Sequence, residues 1–291
     1  MPGDAEGVVA LTRGSALVAH SARTDIGLVR SVNEDAVFAE APVYLVADGM
    51  GGHARGDAAS TAVVETFRRH IEPGTPPSPE QVLDAIHSSN DAVRALSGDG
   101  DEGTAVAGTT LAGVALVDAG DSGGFHWMAF NIGDSRIYSW DGRSLEQMSI
   151  DHSAVQELVD AGLIRPEEAE RHPERNVITR ALGADDLVEP DVWLVPAAGR
   201  QAFLICSDGL TKELPDDRIA AILAGDAAHP AGMAGELVEA ALAHGGRDNV
   251  SVVVVESTIG GEVDDDGDAT RDRVHEAVEE TRPRDEGGRD A

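Results

Sequence analysis

The chain has few basic residues and few aromatic ones. Its 291 residues include 22 Lys and Arg against 53 Asp and Glu, so its formal net charge is −31. A surface this acidic is repelled by nucleic-acid phosphates and by anionic membranes, and we expect neither as a partner. Aromatic residues make up 3% of the chain, too few for the stacking platforms that bind single-stranded nucleic acids.

Cysteine and long apolar runs are also scarce. Cys206 is the only cysteine and cannot form an intramolecular disulfide, which is typical of proteins of the reducing cytoplasm. The most apolar early stretch, residues 8–19, is interrupted by Arg13 and preceded by Asp4 and Glu6 rather than by basic residues. It does not resemble a signal peptide or a membrane span, so we expect a soluble, cytoplasmic protein.

The composition changes abruptly near residue 260. Residues 261–291 carry 12 acidic and 5 basic side chains, and their only large aliphatic residues are three valines. Such a segment cannot bury enough apolar surface to offset the entropy that it would lose on ordering. We therefore predict a single domain over residues 10–258 and a disordered acidic tail over residues 259–291.

Short runs rich in Val, Leu and Thr are interspersed with longer amphipathic runs. The predicted strands are 43–47, 109–117, 125–132, 136–140, 202–206 and 250–256. The predicted helices are 58–71, 79–96 with Ser78 as its cap, 155–161, 166–171, 216–223 and 233–243. The connections among the second, third and fourth strands are too short for a parallel crossover. The pattern thus indicates an α+β fold with helices packed on antiparallel sheets.

Four aspartates stand where a predicted strand meets a turn. They are Asp48 in Asp-Gly-Met-Gly-Gly-His, Asp134 in Gly-Asp-Ser-Arg, Asp208 in Ser-Asp-Gly-Leu and Asp248 in Arg-Asp-Asn. One such motif alone is best explained as a turn signal, but four of them at strand ends favour a shared site. Because gathered carboxylates repel one another, we expect this site to bind cations.

The donor types indicate which cations fit. Carboxylate oxygens without a His or Cys cluster favour Mg²⁺ or Mn²⁺ over zinc. Two such ions about 3.5–4 Å apart can activate a water molecule and hold a phosphoryl group. Arg30 is the candidate phosphate ligand, since arginine binds phosphate through a bidentate fork, although taken alone it is more often a surface ion pair. Glu34 and Asp35 are candidates to orient metal-bound water, and Gly49 lets a backbone carbonyl turn toward a metal.

Six motifs occur in an order that resembles one family. They are Arg-Ser-Val-Asn-Glu-Asp (30–35), Asp-Gly-Met-Gly-Gly-His (48–53), Gly-Thr-Thr (108–110), Gly-Asp-Ser-Arg (133–136), Ser-Asp-Gly-Leu (207–210) and Asp-Asn-Val-Ser (248–251). The set resembles the metal-dependent (type 2C, PPM) serine/threonine protein phosphatases, in particular their bacterial branch, from about residue 21 to residue 256. The resemblance implies a four-layer α-β-β-α sandwich of two antiparallel sheets flanked by helices, with the metals in a cleft at one end.

The resemblance also implies roles for the core ligands. Asp48 would bridge two tightly bound Mn²⁺ or Mg²⁺ ions, Gly49 would add its carbonyl, and Asp208 and Asp248 would complete the pair. Asp134, together with Asp208, would hold a third and weaker ion.

Other positions match residues around that centre. Arg30 matches the phosphate-binding arginine, and Glu34 and Asp35 match acids that contact metal-bound water. Residues 151–183 are similar to the flap subdomain beside the cleft. Against the role implied for Asp134 stands the alternative that it only stabilises its turn, with Arg136 as its ion-pair partner.

The implied reaction is hydrolysis of phosphoserine and phosphothreonine in proteins by an activated water. Phosphoprotein substrates and a Ser/Thr kinase acting on the same targets are the implied partners, and we expect a monomer. Two alternatives stay open: a catalytically inactive relative that binds phosphoproteins, and a metal-dependent phosphoesterase of small molecules. The presence of all of Asp48, Asp208 and Asp248 argues against the first.

One departure from the family pattern concerns the general acid. The eukaryotic branch carries a histidine at the position of Met50, and methionine cannot donate a proton. His53 and metal-bound water are candidate donors, while His53 is equally explained as a residue at a helix start. The role of His152 in the flap is open, and Cys206 is predicted to be a buried small hydrophobe.

Overall fold

Twelve strands and seven helices occur in the part of the chain that a computed structural model describes, namely residues 3–11, 14–51, 55–97, 107–120, 124–169, 171–225 and 230–260. The strands are β1 (Asp4–Ala10), β2 (Ser15–Asp25), β3 (Asp35–Glu40), β4 (Val43–Met50), β5 (Gly108–Thr109), β6 (Leu111–Asp118), β7 (Phe125–Ile132), β8 (Arg136–Trp140), β9 (Leu145–Gln147), β10 (Asp191–Pro196), β11 (Gly199–Cys206) and β12 (Val250–Gly260). The helices are α1 (Arg55–His70), α2 (Pro79–Ser97), α3 (Ala154–Asp160), α4 (Pro166–Ala169), α5 (Asp208–Thr211), α6 (Asp216–Leu223) and α7 (Met233–His244).

The strands form two sheets in which every pairing is antiparallel. One sheet has the order β1-β2-β12-β11-β8-β9, and the other has the order β10-β7-β6-β4-β3, with β5 pairing to β4. The predicted strand 109–117 is interrupted at Thr110. The single predicted strand is thus wrong, and the structure has two. The interruption arises because the Thr110 side chain accepts a hydrogen bond from Asp48 N at 3.0 Å, between the two stretches that pair with β4.

Side-chain alternation along β4 and β11 places the core in three layers. Tyr44 and Val46 point into the space between the sheets, where they share an apolar cluster with Ile205. Leu45 points the other way, into a cluster with α1 and α2. Leu204 lies in a third cluster with α5, α6 and α7. Apolar residues on both faces of a strand require cover on both sides, and the predicted α-β-β-α sandwich is confirmed.

Local signals account for the outer helices. Ser78 Oγ accepts from Gln81 N at 3.3 Å, and Gln81 Oε1 accepts from Ser78 N at 2.8 Å, so the predicted cap of α2 is a reciprocal capping box. In α1, Val63 and Phe67 are fully buried one turn apart, and the Phe67 ring stacks on Phe130 of β7 with centroids 5.7 Å apart. This contact fixes α1 against its sheet.

The buried thiol behaves as predicted. Cys206 is completely enclosed in β11, and burial raises its pKa to about 12. It is therefore a small core residue and not a nucleophile.

Helices of membrane-spanning length and hydropathy are absent from the described ranges. The predicted tail beyond Gly260 lies outside those ranges, as does His53.

Candidate metal centre

The strand pair β3–β4 brings two acids directly opposite each other. Asp35 and Asp48 are partners in the antiparallel register, a position in which like charges are unfavourable. Asp35 is 8% exposed, and its Oδ2 accepts a hydrogen bond of 2.8 Å from Ser207 Oγ. Since Ser207 lies between the end of β11 and Asp208, this bond joins the acids at the ends of strands from two different sheets.

The end of β11 and the start of β12 add two more acids, each in contact with a basic side chain. Ser207 N donates to Ser251 O at 3.0 Å, which places Asp208 beside the start of β12, where Asp248 lies. Arg30 Nη2 contacts both carboxylate oxygens of Asp248 at 2.9 Å. Lys212 Nζ forms an ion pair with Asp208 and lies 3.8 Å from Asp248 Oδ2. Two basic side chains thus approach the carboxylates of Asp208 and Asp248.

Asp134 joins the group through the turn between β7 and β8. Thr110 Oγ1, which is bonded to Asp48 N, also lies 2.7 Å from Ser135 Oγ. Asp134 itself is 8% exposed. Arg136 does not pair with it, because its guanidinium binds Asp151 through contacts of 2.7–3.1 Å. The alternative in which Arg136 pairs with Asp134 is therefore wrong.

The electrostatics of these acids are those of an under-neutralised cluster. Burial, together with the nearby charge of Asp208, raises the pKa of Asp35 and of Asp134 to about 7. Burial and then the charges of Asp35, Asp208 and Asp134 hold the pKa of Asp48 well above its usual range. The pKa of Asp208 is raised by burial although Lys212 acts against the shift. A cation entering among them would remove this penalty.

Four carboxylate oxygens of the group are buried without a hydrogen-bond partner among the described residues. They are Glu34 Oε1, Asp35 Oδ1, Asp134 Oδ1 and Asp208 Oδ1. Buried polar atoms are normally satisfied, so such a concentration calls for an explanation. Oxygen atoms of this kind fit a hard divalent cation.

The side chains are not already arranged as a ligand shell. Within the described ranges no three Asp, Glu, His or Cys residues lie in metal-ligating positions around one point. Lys212 and Arg30 hold Asp208 and Asp248 instead. The oxygen donors nevertheless fit Mg²⁺ or Mn²⁺ in their chemistry.

Gly49 lies where three segments meet. A Cβ at this position would come within 2.1 Å of Gly56 O and 2.6 Å of Glu34 O, so no side chain fits. Gly49 N donates to Glu34 O at 3.1 Å, and Ser60 Oγ donates to the same oxygen at 2.6 Å. The end of β4, the first turns of α1 and the residue before β3 are thereby held together.

Comparison with known families agrees with this geometry. Residues 29–233 match the family described as Protein phosphatase 2C. The chain belongs to the protein phosphatase 2C family. The predicted family resemblance is thus confirmed.

Its relatives include bacterial phosphatases. PstP of Mycobacterium tuberculosis is 38% identical over 247 residues, which cover 84% of this chain and 46% of that protein. The serine/threonine phosphatase stp of Listeria welshimeri is 33% identical over 247 residues, which cover 81% of this chain and 95% of that protein. The chain therefore spans about half the length of PstP and nearly all of the Listeria protein.

Solved structures of the phosphatase 2C family superpose on the chain. The crystal structure of M. tuberculosis PstP gives a TM-score of 0.70 at 38% identity and covers 82% of this chain and 97% of that one. The catalytic domain of PstP in complex with two manganese ions also gives 0.70 at 38% identity, with coverage of 84% and 99%.

Two residues that organise the site of this phosphatase 2C chain were not predicted from its sequence. Lys212 carries the charge that offsets Asp208, and only its position four residues after Asp208, one helical turn along, points to the contact. Asn249 is 5% exposed and uses its whole amide. Its Oδ1 accepts from Glu34 N at 2.8 Å, and its Nδ2 donates to the backbone oxygens of Ile26 and Val32 at 2.9 and 3.0 Å.

His152, whose role the sequence left open, connects two segments of this phosphatase 2C fold. His152 Nδ1 accepts from Gly133 N at 3.0 Å, and its Nε2 lies 3.2 Å from Asp191 Oδ2. Burial lowers its pKa, so the ring is neutral near pH 7, with its proton on Nε2. His152 joins the Asp134 turn to β10.

Proposed function

We propose that the chain hydrolyses phosphoserine and phosphothreonine in proteins with a water activated at a binuclear Mn²⁺ or Mg²⁺ centre. The observation that carries this proposal is the group of buried, unpartnered carboxylate oxygens beside the half-exposed guanidinium of Arg30. The relatives named as serine/threonine phosphatases and the manganese-bound PstP domain support it.

The proposed ligands follow the positions of the acids. Asp48, the carbonyl of Gly49, Asp208 and Asp248 would hold the two ions. Asp134 together with Asp208 would hold a third, weaker ion. When bound, the ions lower the pKa of water and neutralise the phosphate oxygens.

Residues around the ligands bind and orient the reactants. Among the described residues, the Arg30 guanidinium donates only through Nη2, to Asp248, which leaves its other N–H groups to donate to phosphate oxygens. Glu34 and Asp35 orient water around the metals, each through an oxygen that has no partner among the described residues. Met50 has no acidic proton, so the proton for the leaving serine or threonine oxygen comes from another donor, for which metal-bound water and His53 are the two candidates.

The proposal extends to the organisation of the protein. Residues 10–258 act as one catalytic domain, with residues 151–183 as a flap beside the cleft and residues 259–291 as a tail. The protein works in the cytoplasm as a monomer, without membrane or nucleic-acid partners, and shares its targets in a signalling pathway with a Ser/Thr kinase. Sedimentation velocity of the full chain and fractionation of cells test the monomer and the location.

The deciding experiment compares substrates and metals. We expect Mn²⁺-dependent release of phosphate from a phosphothreonine peptide, with turnover abolished by chelator and restored by added Mn²⁺. A nucleotide substrate serves as the comparison. Faster turnover of the nucleotide would favour the small-molecule phosphoesterase. Peptide binding without turnover, at saturating Mn²⁺, would favour the inactive relative.

A further inference from the structure

Exposed aliphatic side chains surround Arg30 in the loop between β2 and β3. Ile26, Leu28, Val29 and Val32 are 37%, 68%, 69% and 44% exposed. Single exposed aliphatic residues are normal on protein surfaces. Four within seven positions form a patch, and here they are 4 of the 13 exposed large hydrophobic residues of the described ranges. We call these four side chains the apolar collar.

The backbone under the apolar collar is fixed. Leu28 N donates to Gly246 O at 2.7 Å, and Asn249 binds the backbone oxygens of Ile26 and Val32. Gly27 has a φ of +79°, and a Cβ there would come within 2.2 Å of Asp248 O. The loop is therefore packed against the segment that carries Asp248. A surface held in this way binds a partner at a smaller cost in ordering entropy than a mobile loop would.

The collar is positioned by its connection to Arg30. Val29 and Val32 lie within two residues of Arg30, and successive Cα atoms are about 3.8 Å apart. An extended peptide advances about 3.3 Å per residue. When the phosphate of such a peptide is bound by Arg30, the residues one or two places away from the phosphorylated residue reach the collar.

The charge of the loop defines which residues fit there. Residues 26–33 read Ile-Gly-Leu-Val-Arg-Ser-Val-Asn, with Arg30 as the only charged residue in a chain that has 53 acidic ones. Acidic flanking residues are repelled by the net charge of −31, and the carboxylates nearest in sequence, those of Asp25 and Glu34, lie outside the segment at its two ends. The surface matches one phosphate flanked by aliphatic side chains.

We infer that the apolar collar selects protein substrates in which aliphatic residues flank the phosphorylated serine or threonine. This inference rests on the proposed phosphatase function and adds a substrate class to it. Burial of aliphatic side chains of substrate and collar against each other supplies the preference.

The test compares three substrates of the full chain in Mn²⁺. They are a phosphothreonine peptide with Leu on both sides of the phosphothreonine, the same peptide with Ser on both sides, and p-nitrophenyl phosphate, which has no flanking residues. We expect kcat/KM for the Leu peptide to exceed that for the Ser peptide by about tenfold, as partial burial of two aliphatic side chains allows. The double variant Leu28→Ser/Val29→Ser should lose this ratio.

The matched control is Val8→Ser in β1. Val8 is 66% exposed, close to the value for Val29, and it pairs with Leu17, eight residues before the end of β2 at Asp25. It therefore lies about 27 Å from the loop along that strand, and its substitution should keep the Leu-to-Ser ratio.

Several results would overturn the inference. Equal kcat/KM for the Leu and Ser peptides in the unaltered chain is one, and an unchanged ratio in the double variant is another. A fall in sedimentation coefficient in the double variant, with an unchanged peptide ratio, would assign the collar to self-association.

Failure of the proposed function has a different signature. It would abolish turnover of both peptides: a small-molecule phosphoesterase would still hydrolyse p-nitrophenyl phosphate, whereas an inactive relative would hydrolyse none of the three. Fluorescence anisotropy then measures binding of the two labelled phosphopeptides directly: tighter binding of the Leu peptide would support the collar, and equal binding would reject it.

Discussion

Two turns that follow each other along the chain each contain an aspartate, and they use it in opposite ways. After β8, Asp141 Oδ1 accepts from Arg143 N and Ser144 N at 2.7 Å, and these backbone bonds lower its pKa. After β7, Asp134 is buried with Oδ1 unpartnered among the described residues, and burial raises its pKa to about 7. An aspartate that stabilises a turn accepts hydrogen bonds from backbone N–H groups. Asp134 Oδ1 accepts none from the described residues and is available to another ligand.

The largest effect should come from Asp208, the acid that contacts Lys212. Asp208→Asn removes a ligand charge at constant shape, and we expect kcat for a phosphothreonine peptide in Mn²⁺ to fall by at least about 100-fold. Asp141→Asn is the control and should retain kcat within about twofold, since Asp141 serves only its turn. Retention of activity by Asp208→Asn at moderate Mn²⁺ would exclude the binuclear assignment. Asp48→Ala should behave as Asp208→Asn does.

The next effect concerns the phosphate ligand. Arg30→Ala should raise KM for the peptide by about 10- to 100-fold, the value of one or two charge-assisted hydrogen bonds. Titration calorimetry with Mn²⁺ should show a smaller change, because Arg30 contacts substrate rather than metal in this proposal. Arg200→Ala is the control, since Arg200 also pairs with a carboxylate, that of Glu256 in β12. Loss of metal binding with an unchanged KM would make Arg30 a structural residue.

Asp134 should have an intermediate effect. We expect Asp134→Ala to keep two tightly bound ions per chain while lowering kcat by about tenfold, with less effect on KM, because a third ion with few protein ligands binds weakly. Calorimetric stoichiometry and turnover against Mn²⁺ concentration provide the measurement. An unchanged kcat over the whole Mn²⁺ range would remove Asp134 from the mechanism. Asp134 would then only stabilise its turn, as Asp141 does.

The smallest effect is on stability against pH in the presence of chelator. The folded pKa of Asp134, about 7, lies above its ordinary value of 3.8, so the folded state binds this proton more tightly than the unfolded state does. Its contribution to stability is complete below about pH 4 and is lost as the pH rises toward 7. The rise in Tm that Asp134→Asn causes relative to the unaltered chain should therefore be larger by a few degrees at pH 8 than at pH 4. Equal shifts at both pH values in thermal denaturation would contradict this.

The parts of the fold that were predicted well have a clear apolar pattern, which is a largely buried run in β7 and a pair of buried residues one turn apart, Ile219 and Leu223, in α6. Strands 125–132 and 136–140 and helix 216–223 begin and end as predicted. The strands β1, β2, β3, β9 and β10 and the short helix α5 were not predicted. β1 is almost wholly exposed, and only alternate residues of β10 are partly buried, so neither contains the continuous apolar run on which the strand assignments relied.

The site was predicted from motifs, and the structure adds what motifs lack. The Asp-Gly and Gly-Asp signals located three of the four acids, and Asp248 in Arg-Asp-Asn was located by its position just before a predicted strand. Asn249 was missed because its importance lies in contacts with residues distant along the chain. Lys212 was missed because a lysine one helical turn after an aspartate is common on exposed helices, and its approach to Asp248 is not visible in the sequence. The exposure of Val29 and Val32 likewise follows from how the loop is anchored, since the sequence alone favours burial of valine.

Asn249 contacts both Asp248 and the loop that carries Arg30. Its backbone N–H holds Asp248 Oδ1 at 2.9 Å, while its side chain holds the loop that carries Arg30 and Val32. Asp248 and the loop are therefore held by one and the same residue. Thermodynamic reciprocity then requires that if a cation at Asp248 strengthens peptide binding, the peptide strengthens cation binding by the same factor. In such a protein, the supply of divalent ions and the supply of phosphorylated targets act on a single equilibrium.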